Sequence, residues 1–170
     1  VEVGPGNWYS GSVVKLPEGR VLREVFQEAV SELERGEPVV VATVVRTKGS
    51  TPQKPGAKLL VRHDGSGVGT LGGGCVEGDI WFAANELMKR GGPSEHRDYE
   101  LNEDLAVEEG LVCGGTMYFL IDPVYRPGDY LDIAREIDGA YRDEGAVAVA
   151  SLVKSADGQP EPIGAKLLVR

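Results

Sequence analysis

Sulfur, histidine and aromatic residues are scarce in this chain: 170 residues hold two cysteines, two histidines and 6% aromatics. Two cysteines 38 positions apart make neither a disulfide framework nor a C-x-x-C zinc site, so a reducing, cytoplasmic setting is expected. Long apolar runs are missing. The longest nearly apolar stretch, Val39 to Val45, has seven residues, against the roughly 18 of a membrane span. The first 20 residues carry neither a basic n-region nor an apolar h-region, so no signal peptide is read there. Positive charge is in deficit as well. A net charge of −9 argues against nucleic acid and anionic membranes as partners and leaves small molecules and proteins open. His63 lies in a turn and His96 in a polar segment, and both read as surface residues. No Ser/His/Asp arrangement can be drawn.

Glycine, by contrast, is plentiful, with 24 residues. The densest run is Gly67-Val-Gly-Thr-Leu-Gly-Gly-Gly-Cys75-Val-Glu-Gly-Asp79. It places Cys75 at the mouth of a helix expected to run to about Lys89. A helix start carries unpaired N–H groups and partial positive charge, so it attracts anions. The same field favours a thiolate, the form that attacks electrophiles and binds soft metals. Gly72, Gly73 and Gly74 leave the backbone open to a ligand. The plainer alternative is a tight turn beside a buried small hydrophobe. Glu77 and Asp79 sit in the first helical turn, where the helix dipole accounts for them. Gly67, Gly69 and Gly72 also spell G-x-G-x-x-G, the dinucleotide fingerprint. That motif needs a strand directly before it and a helix opening within it. Here His63-Asp64-Gly65-Ser66 reads as a hairpin turn and Gly67–Leu71 as its return strand. A nicotinamide- or flavin-linked oxidoreductase is therefore the lesser reading.

Two further segments carry chemistry. Lys48, Gly49, Ser50, Thr51 and Lys54 make a loop of cations and hydroxyls suited to phosphate, though not a P-loop, and an ordinary solvated connection would look similar. Cys113 stands before Gly114-Gly115. It faces Cys75 as a second soft donor or is unrelated to it. Glu103, Asp104, Glu108 and Glu109 read as a solvated face.

The hydrophobic pattern predicts an α/β fold: a single domain with a mixed β-sheet flanked by helices. Helices are expected near Arg20–Arg35, Val76–Arg90 and Pro127–Arg142. Strands are expected at Pro38–Arg46, Ala57–Arg62, Gly67–Leu71, Asp98–Leu101, Thr116–Ile121 (ended by Asp122-Pro123) and Ala146–Lys154, the last read as buried. Residues 1–19, with Trp8 and Tyr9, read as a leader.

Gly164–Arg170 repeats Gly56–Arg62 residue for residue at an offset of 108, which holds without a gap back to Ala42 and Ala150. The preceding helices align too: Val25, Ala29 and Leu33 fall on Ile133, Ile137 and Tyr141. A helix–strand–loop–strand unit therefore occurs twice, with residues 126–170 forming a partial second copy. Its loop, Ser155 to Ile163, lacks the Lys-Gly-Ser-Thr set, so the first copy is expected to carry the chemistry and the second to be scaffold. The chain opens on valine and stops at a strand end without a hairpin partner, and it is read as a truncated piece of a longer protein.

Ala42 to Arg62, then Gly69-Thr-Leu-Gly-Gly-Gly-Cys-Val-Glu77, then Cys113-Gly-Gly115 resemble the N-terminal domain of the XdhC/CoxI family, accessory proteins of xanthine dehydrogenase and carbon monoxide dehydrogenase. The resemblance covers roughly Leu22 to Tyr125, giving a family-like domain over residues 20–125. It departs at Gln53, where the family motif has a basic residue, and in the missing C-terminal half, which in many members is Rossmann-like. It implies a maturation factor rather than an enzyme, one that binds molybdenum cofactor (molybdopterin) and delivers it to a xanthine dehydrogenase- or CO dehydrogenase-type molybdoenzyme. The family cysteines map onto Cys75, a reactive thiol and molybdenum contact, and Cys113. Lys48, Gly49, Ser50, Thr51, Lys54 and Gly72–Gly74 would complete the cofactor site. A sulfur donor such as a cysteine desulfurase and a homodimer are further partners the reading allows. A structural adaptor that only docks the target enzyme is the remaining alternative.

Overall fold

The computed structural model describes residues 19–101, 114–154 and 162–170. The leader with Trp8 and Tyr9, the acidic stretch Asn102–Gly110, Cys113 and most of the second-copy loop lie outside the described residues. The elements in chain order are α1 (Gly19–Glu34), β1 (Val39–Lys48), β2 (Lys58–Arg62), β3 (Gly67–Gly69), α2 (Gly74–Arg90), β4 (Glu95–Glu100), β5 (Thr116–Val124), a 3-10 turn (Pro127–Asp129), α3 (Leu131–Ala140), β6 (Ala148–Ser151) and β7 (Lys166–Val169). Five strands form one sheet in the order β3-β2-β1-β5-β4, and β6 pairs only with β7.

Helices cover both faces of the five-stranded sheet. Val40, Ala42 and Val44 of β1 pack with Leu59, Val61, Phe119 and Ile121 beneath Val76, Ile80, Ala84 and Leu87 of α2. Val39, Val41 and Leu60 point the other way, onto Val25, Phe26, Ala29 and Leu33 of α1 and Ala134 of α3. Successive strand residues alternate between faces, so a strand covered on both sides must be apolar throughout. That explains the Val-rich β1. It also corrects the expected mixed sheet: every pairing is antiparallel. A continuous apolar run reports two covered faces, and two-sided cover does not require parallel strands.

Several boundaries differ from expectation: β4 begins at Glu95 rather than Asp98 and β3 ends at Gly69 rather than Leu71, and three differences are larger. β5 continues through Asp122-Pro123 to Val124, because β4 stops pairing at Ile121 and a proline is tolerated where a strand becomes an edge. The expected Pro127–Arg142 helix is divided at Tyr130, with a 3-10 turn before it and α3 after it. The strand expected at Ala146–Lys154 is shorter, and it is exposed rather than buried. Among the described residues no helix covers its outer side, and Ala148, Ala150 and Ser151 face solvent.

The repeat is structural. Ala42 pairs with Leu59 and Ala150 with Leu167; Thr43 pairs with Lys58 and Ser151 with Lys166. The loop ends match as well: the Val44 amide donates to the Ala57 carbonyl at 2.9 Å, and Leu152 to Ala165 at 2.8 Å. α1 and α3 pack together through the Phe26–Tyr141 ring pair and the Arg135–Glu34 ion pair. The equivalent lysines of the two copies converge near Asp122. Lys166 pairs with the Asp122 carboxylate, which also accepts the Ser94 hydroxyl, and Lys58 donates to Thr43 Oγ1 at 2.9 Å. Burial, with repulsion from Lys166, pulls the Lys58 ammonium down to about 8 against the opposing pull of Asp122. Burial, and then Asp122, pushes the Tyr130 phenol above its ordinary value.

Candidate functional site

β1 delivers Lys48 to one end of the sheet. A register shift between Val44 and Arg46 bends the strand just before it, a bulge of the kind that re-aims a strand end. The loop that follows turns back at Gly49, with φ +75°, and at Thr51, whose hydroxyl donates to the Gln53 carbonyl at 3.0 Å. Lys48, Ser50 and Lys54 are exposed, leaving both ammonium groups to solvent.

The loop packs directly on the glycine run. A Cβ at Gly72 would lie 2.7 Å from Pro52 Cβ, and φ at Gly72 is +112°. Only glycine meets both demands. The loop also packs on the segment that follows Cys113. A Cβ at Gly49 would meet the Gly114 carbonyl at 3.0 Å, and one at Gly115 would meet the Lys48 carbonyl at 2.6 Å. The basic loop, the glycine turn and Gly114-Gly115 are thus brought together. Cys113 itself lies outside the described residues, so its separation from Cys75 is not set.

α2 opens at Gly74, after an N-cap glycine, Gly73 at φ 74°, which has no side chain of its own to cap the helix amides. Cys75 is an exposed, free thiol in its first turn. Glu77 does more than favour the helix dipole. Its Oε2 accepts the Thr70 hydroxyl at 2.7 Å, the Leu71 amide at 2.7 Å and the Gly73 amide at 3.1 Å. Burial pushes this carboxyl up, but those hydrogen bonds outweigh it and hold it below the ordinary carboxylate value. The amides just before α2 therefore already serve an internal anion. An external one would draw on the helix's own first amides and the two lysines. On the outer side, Tyr99 of β4 donates to Asp79 Oδ2 at 3.0 Å, one helical turn beyond Cys75. Burial, then Asp79 and Cys75, push the Tyr99 phenol up.

The G-x-G-x-x-G reading is excluded by this geometry. Gly67 and Gly69 lie on β3, paired antiparallel to β2, and Gly67 sits under the Trp81 indole, whose Nε1 donates to the Gly65 carbonyl at 2.9 Å. The fingerprint needs a parallel βαβ unit, and its glycines here are taken up by sheet and side-chain packing. Among the described residues no three His, Cys, Asp or Glu side chains converge as metal ligands, and no helix is long and apolar enough to cross a membrane.

Sequence reasoning missed the Glu77 fold-back and the Tyr99–Asp79 pair. The first had a signal, since a glutamate shortly after a helix start can reach back to amides before it, as in a capping box. The second depends on how β4 lies beside α2, which no local pattern encodes.

Comparison with known proteins finds likenesses for part of this arrangement. Residues 32–100, which include the lysine loop, the glycine turn and Cys75, match the model of the XdhC and CoxI family. The chain is 37% identical over 93 residues to the molybdenum cofactor insertion chaperone PaoD of Escherichia coli, covering 55% of this chain and 29% of that protein. It is 45% identical over 90 residues to a probable xanthine dehydrogenase subunit of Bacillus subtilis, covering 51% of this chain and 26% of that protein. Among solved structures, a xanthine dehydrogenase from Bacillus halodurans superimposes with a TM-score of 0.63 at 25% identity, over 86% of this chain and 41% of that one. The chain thus spans less than a third of these curated relatives.

Proposed function

We propose that the protein is a maturation factor that binds molybdenum cofactor and delivers it to a xanthine dehydrogenase- or CO dehydrogenase-type molybdoenzyme in the cytoplasm, without turnover of its own. The single observation that carries this reading is the packing of Pro52 on Gly72 and of Gly49 on Gly114, which gathers the lysine loop, the glycine turn and the thiol-bearing helix start. The match to the XdhC and CoxI family and to a molybdenum cofactor insertion chaperone supports it.

The cofactor is a pterin dithiolene with a phosphate, and the donor set fits both parts. Lys48 and Lys54 would neutralise the phosphate, with Ser50, Thr51, the Gly49 backbone and the first amides of α2 as hydrogen-bond partners. Gly73 and Gly74 keep side chains out of the approach. Cys75 would offer a soft sulfur to the metal, and Cys113 is a second candidate. Glu77 holds the turn in shape. When bound, the group supplies the molybdenum dithiolene that the recipient enzyme needs. A site of exposed residues suits a factor that must release what it carries.

The test is to express the protein with molybdate, purify it, and measure pterin fluorescence after oxidation together with molybdenum content. Retained pterin, reduced in Cys75→Ala together with loss of transfer to an apo-dehydrogenase, is the expected result. Binding of the recipient enzyme with no pterin retained would contradict it and leave the adaptor.

A further inference from the structure

The bulge in β1 turns two cations onto the sheet face opposite α2. Val44 lies in the core beneath α2, and in a regular strand Arg46 would follow it there. The register shift between them moves Arg46 to the other face, where it pairs with Tyr118. Met117 and Phe119 belong to the core beneath α2, so Tyr118 between them faces the same way as Arg46. Tyr118 pairs in turn with Asp98 of β4. Arg46, Tyr118 and Asp98 thus form one row across three strands, with neighbours about 4.8 Å apart. The Arg46 guanidinium lies over the Tyr118 ring, 5.4 Å from its centroid, and the His96 ring stands 6.1 Å from it at 31°. Burial, opposed by Asp98 and aided by Lys154, pulls the His96 imidazole below its ordinary value, so at neutral pH it is an uncharged flat ring. Lys48 is on the same face two residues beyond Arg46, opposite Thr116, about 7 Å along the strand. The row is open: the core under α1 and α3 takes in Val124 of β5 and no residue of β4. Arg46, Lys48 and Asp98 are exposed. Among the described residues none of the three has an ion-pair partner, whereas Arg90 and Arg97 beside β4 both hold Glu95.

We propose that the Arg46–Tyr118–Asp98 row, with Lys48 beside it, holds the pterin ring of the cofactor, an inference that rests on the proposed function and names the residues that recognise the heterocycle. A pterin is a flat ring system whose pyrimidine carries a 2-amino and a 4-oxo group. Its face stacks on Tyr118 and the Arg46 guanidinium. Its 2-amino and N3–H groups are two parallel donors, the arrangement that a carboxylate such as Asp98 accepts as a pair. Its phosphate reaches Lys48, and Cys75, on the α2 side of the lysine loop, is left for the metal. Guanine nucleotides share this donor edge and the phosphate, while adenine lacks the paired donors.

The test titrates the chain with a metal-free pterin monophosphate, guanosine and adenosine monophosphates and inorganic phosphate, following pterin fluorescence and heat. The expected result is binding of the pterin with quenched fluorescence. Tyr118→Leu should weaken it at least about tenfold and abolish the quenching, with most of both recovered in Tyr118→Phe. Asp98→Asn, at an exposed site, should weaken it about tenfold. Neither Tyr118→Leu nor Asp98→Asn should alter the binding of inorganic phosphate, which a general loss of structure would reduce. No binding of the pterin by the parent, or equal binding by the parent, Tyr118→Leu and Asp98→Asn, overturns the inference. Binding of either nucleotide as tightly as the pterin overturns it in favour of a nucleotide. Failure of the carrier role is a different result: no molybdenum cofactor is retained after expression with molybdate, yet the pterin monophosphate still binds and still requires Tyr118, which supports the row.

Discussion

Two copies of one heptapeptide sit in opposite surroundings in this molecule. Gly56–Arg62 and Gly164–Arg170 have the same sequence and pair with the preceding strand in the same register. Leu59 is nevertheless fully buried, while Leu167 is 63% exposed. The pairing is local and is set by strand and loop ends. The burial is not local: it comes from α2, β3 and β5, which stand beside the first hairpin and have no equivalents beside the second among the described residues. The loops differ again, basic and hydroxyl-rich in the first copy, with neither lysine in the second. One scaffold thus carries a candidate site in one copy and an open face in the other.

The largest expected effect breaks the comparison at that shared position. Leu59→Ala empties a filled core and should cost about 2–5 kcal/mol. Leu167→Ala, the same change in the same heptapeptide, should stay within about 0.5 kcal/mol in this chain. Urea denaturation of the two variants measures the difference, and equal losses would mean that the second hairpin is covered after all.

Next in size is Glu77, whose fold-back belongs to the first copy. Glu77→Ala leaves the Leu71 and Gly73 amides without their carboxylate and should cost about 1–3 kcal/mol. The acid limb follows from the lowered pKa. The folded carboxyl titrates below its ordinary value of 4.5, so its contribution is complete above that pH and is lost as pH falls through the folded value. Chemical denaturation at pH 6 and pH 3 should show a smaller acid loss in the variant than in the parent.

A pH-dependent effect sharpens the comparison of the paired lysines. The folded Lys58 ammonium titrates at about 8 rather than 10.5. Between those values the unfolded chain holds a proton that the folded chain has released, so stability rises with pH across that window. Lys58→Met should flatten the rise, as read by denaturation midpoints at pH 7.5 and 10.

Much of this was legible in the sequence because it is written locally. The amphipathic spacing of Val25, Ala29 and Leu33, the glycines that end α1 and α2, and the offset between the repeats all depend on near neighbours. What was not legible depends on elements distant in sequence. The apolar β1 announced two covered faces but could not state strand direction. Ala146–Lys154 looked as buried as the Val39–Val45 strand, since composition does not say whether a covering helix is present. At the candidate site the lysine loop, the glycine turn and Cys75 were each readable from their own residues. Their packing through Pro52 and Gly115 was a matter of topology, and the Glu77 carboxylate in the turn was hidden behind an adequate local explanation.

The central claim is that the first copy binds cofactor and the second does not. The measurement that tests it most directly is a binding titration of molybdenum cofactor against the parent chain, Lys48→Ala and Ala156→Lys, the last placing a lysine at the equivalent position of the second copy. Loss of a charge-assisted contact at Lys48 should weaken binding by about 1.5–3 kcal/mol, roughly tenfold to a hundredfold or somewhat more, while Ala156→Lys should leave it unchanged. Unaltered binding in Lys48→Ala, or tighter binding in Ala156→Lys, would contradict the assignment.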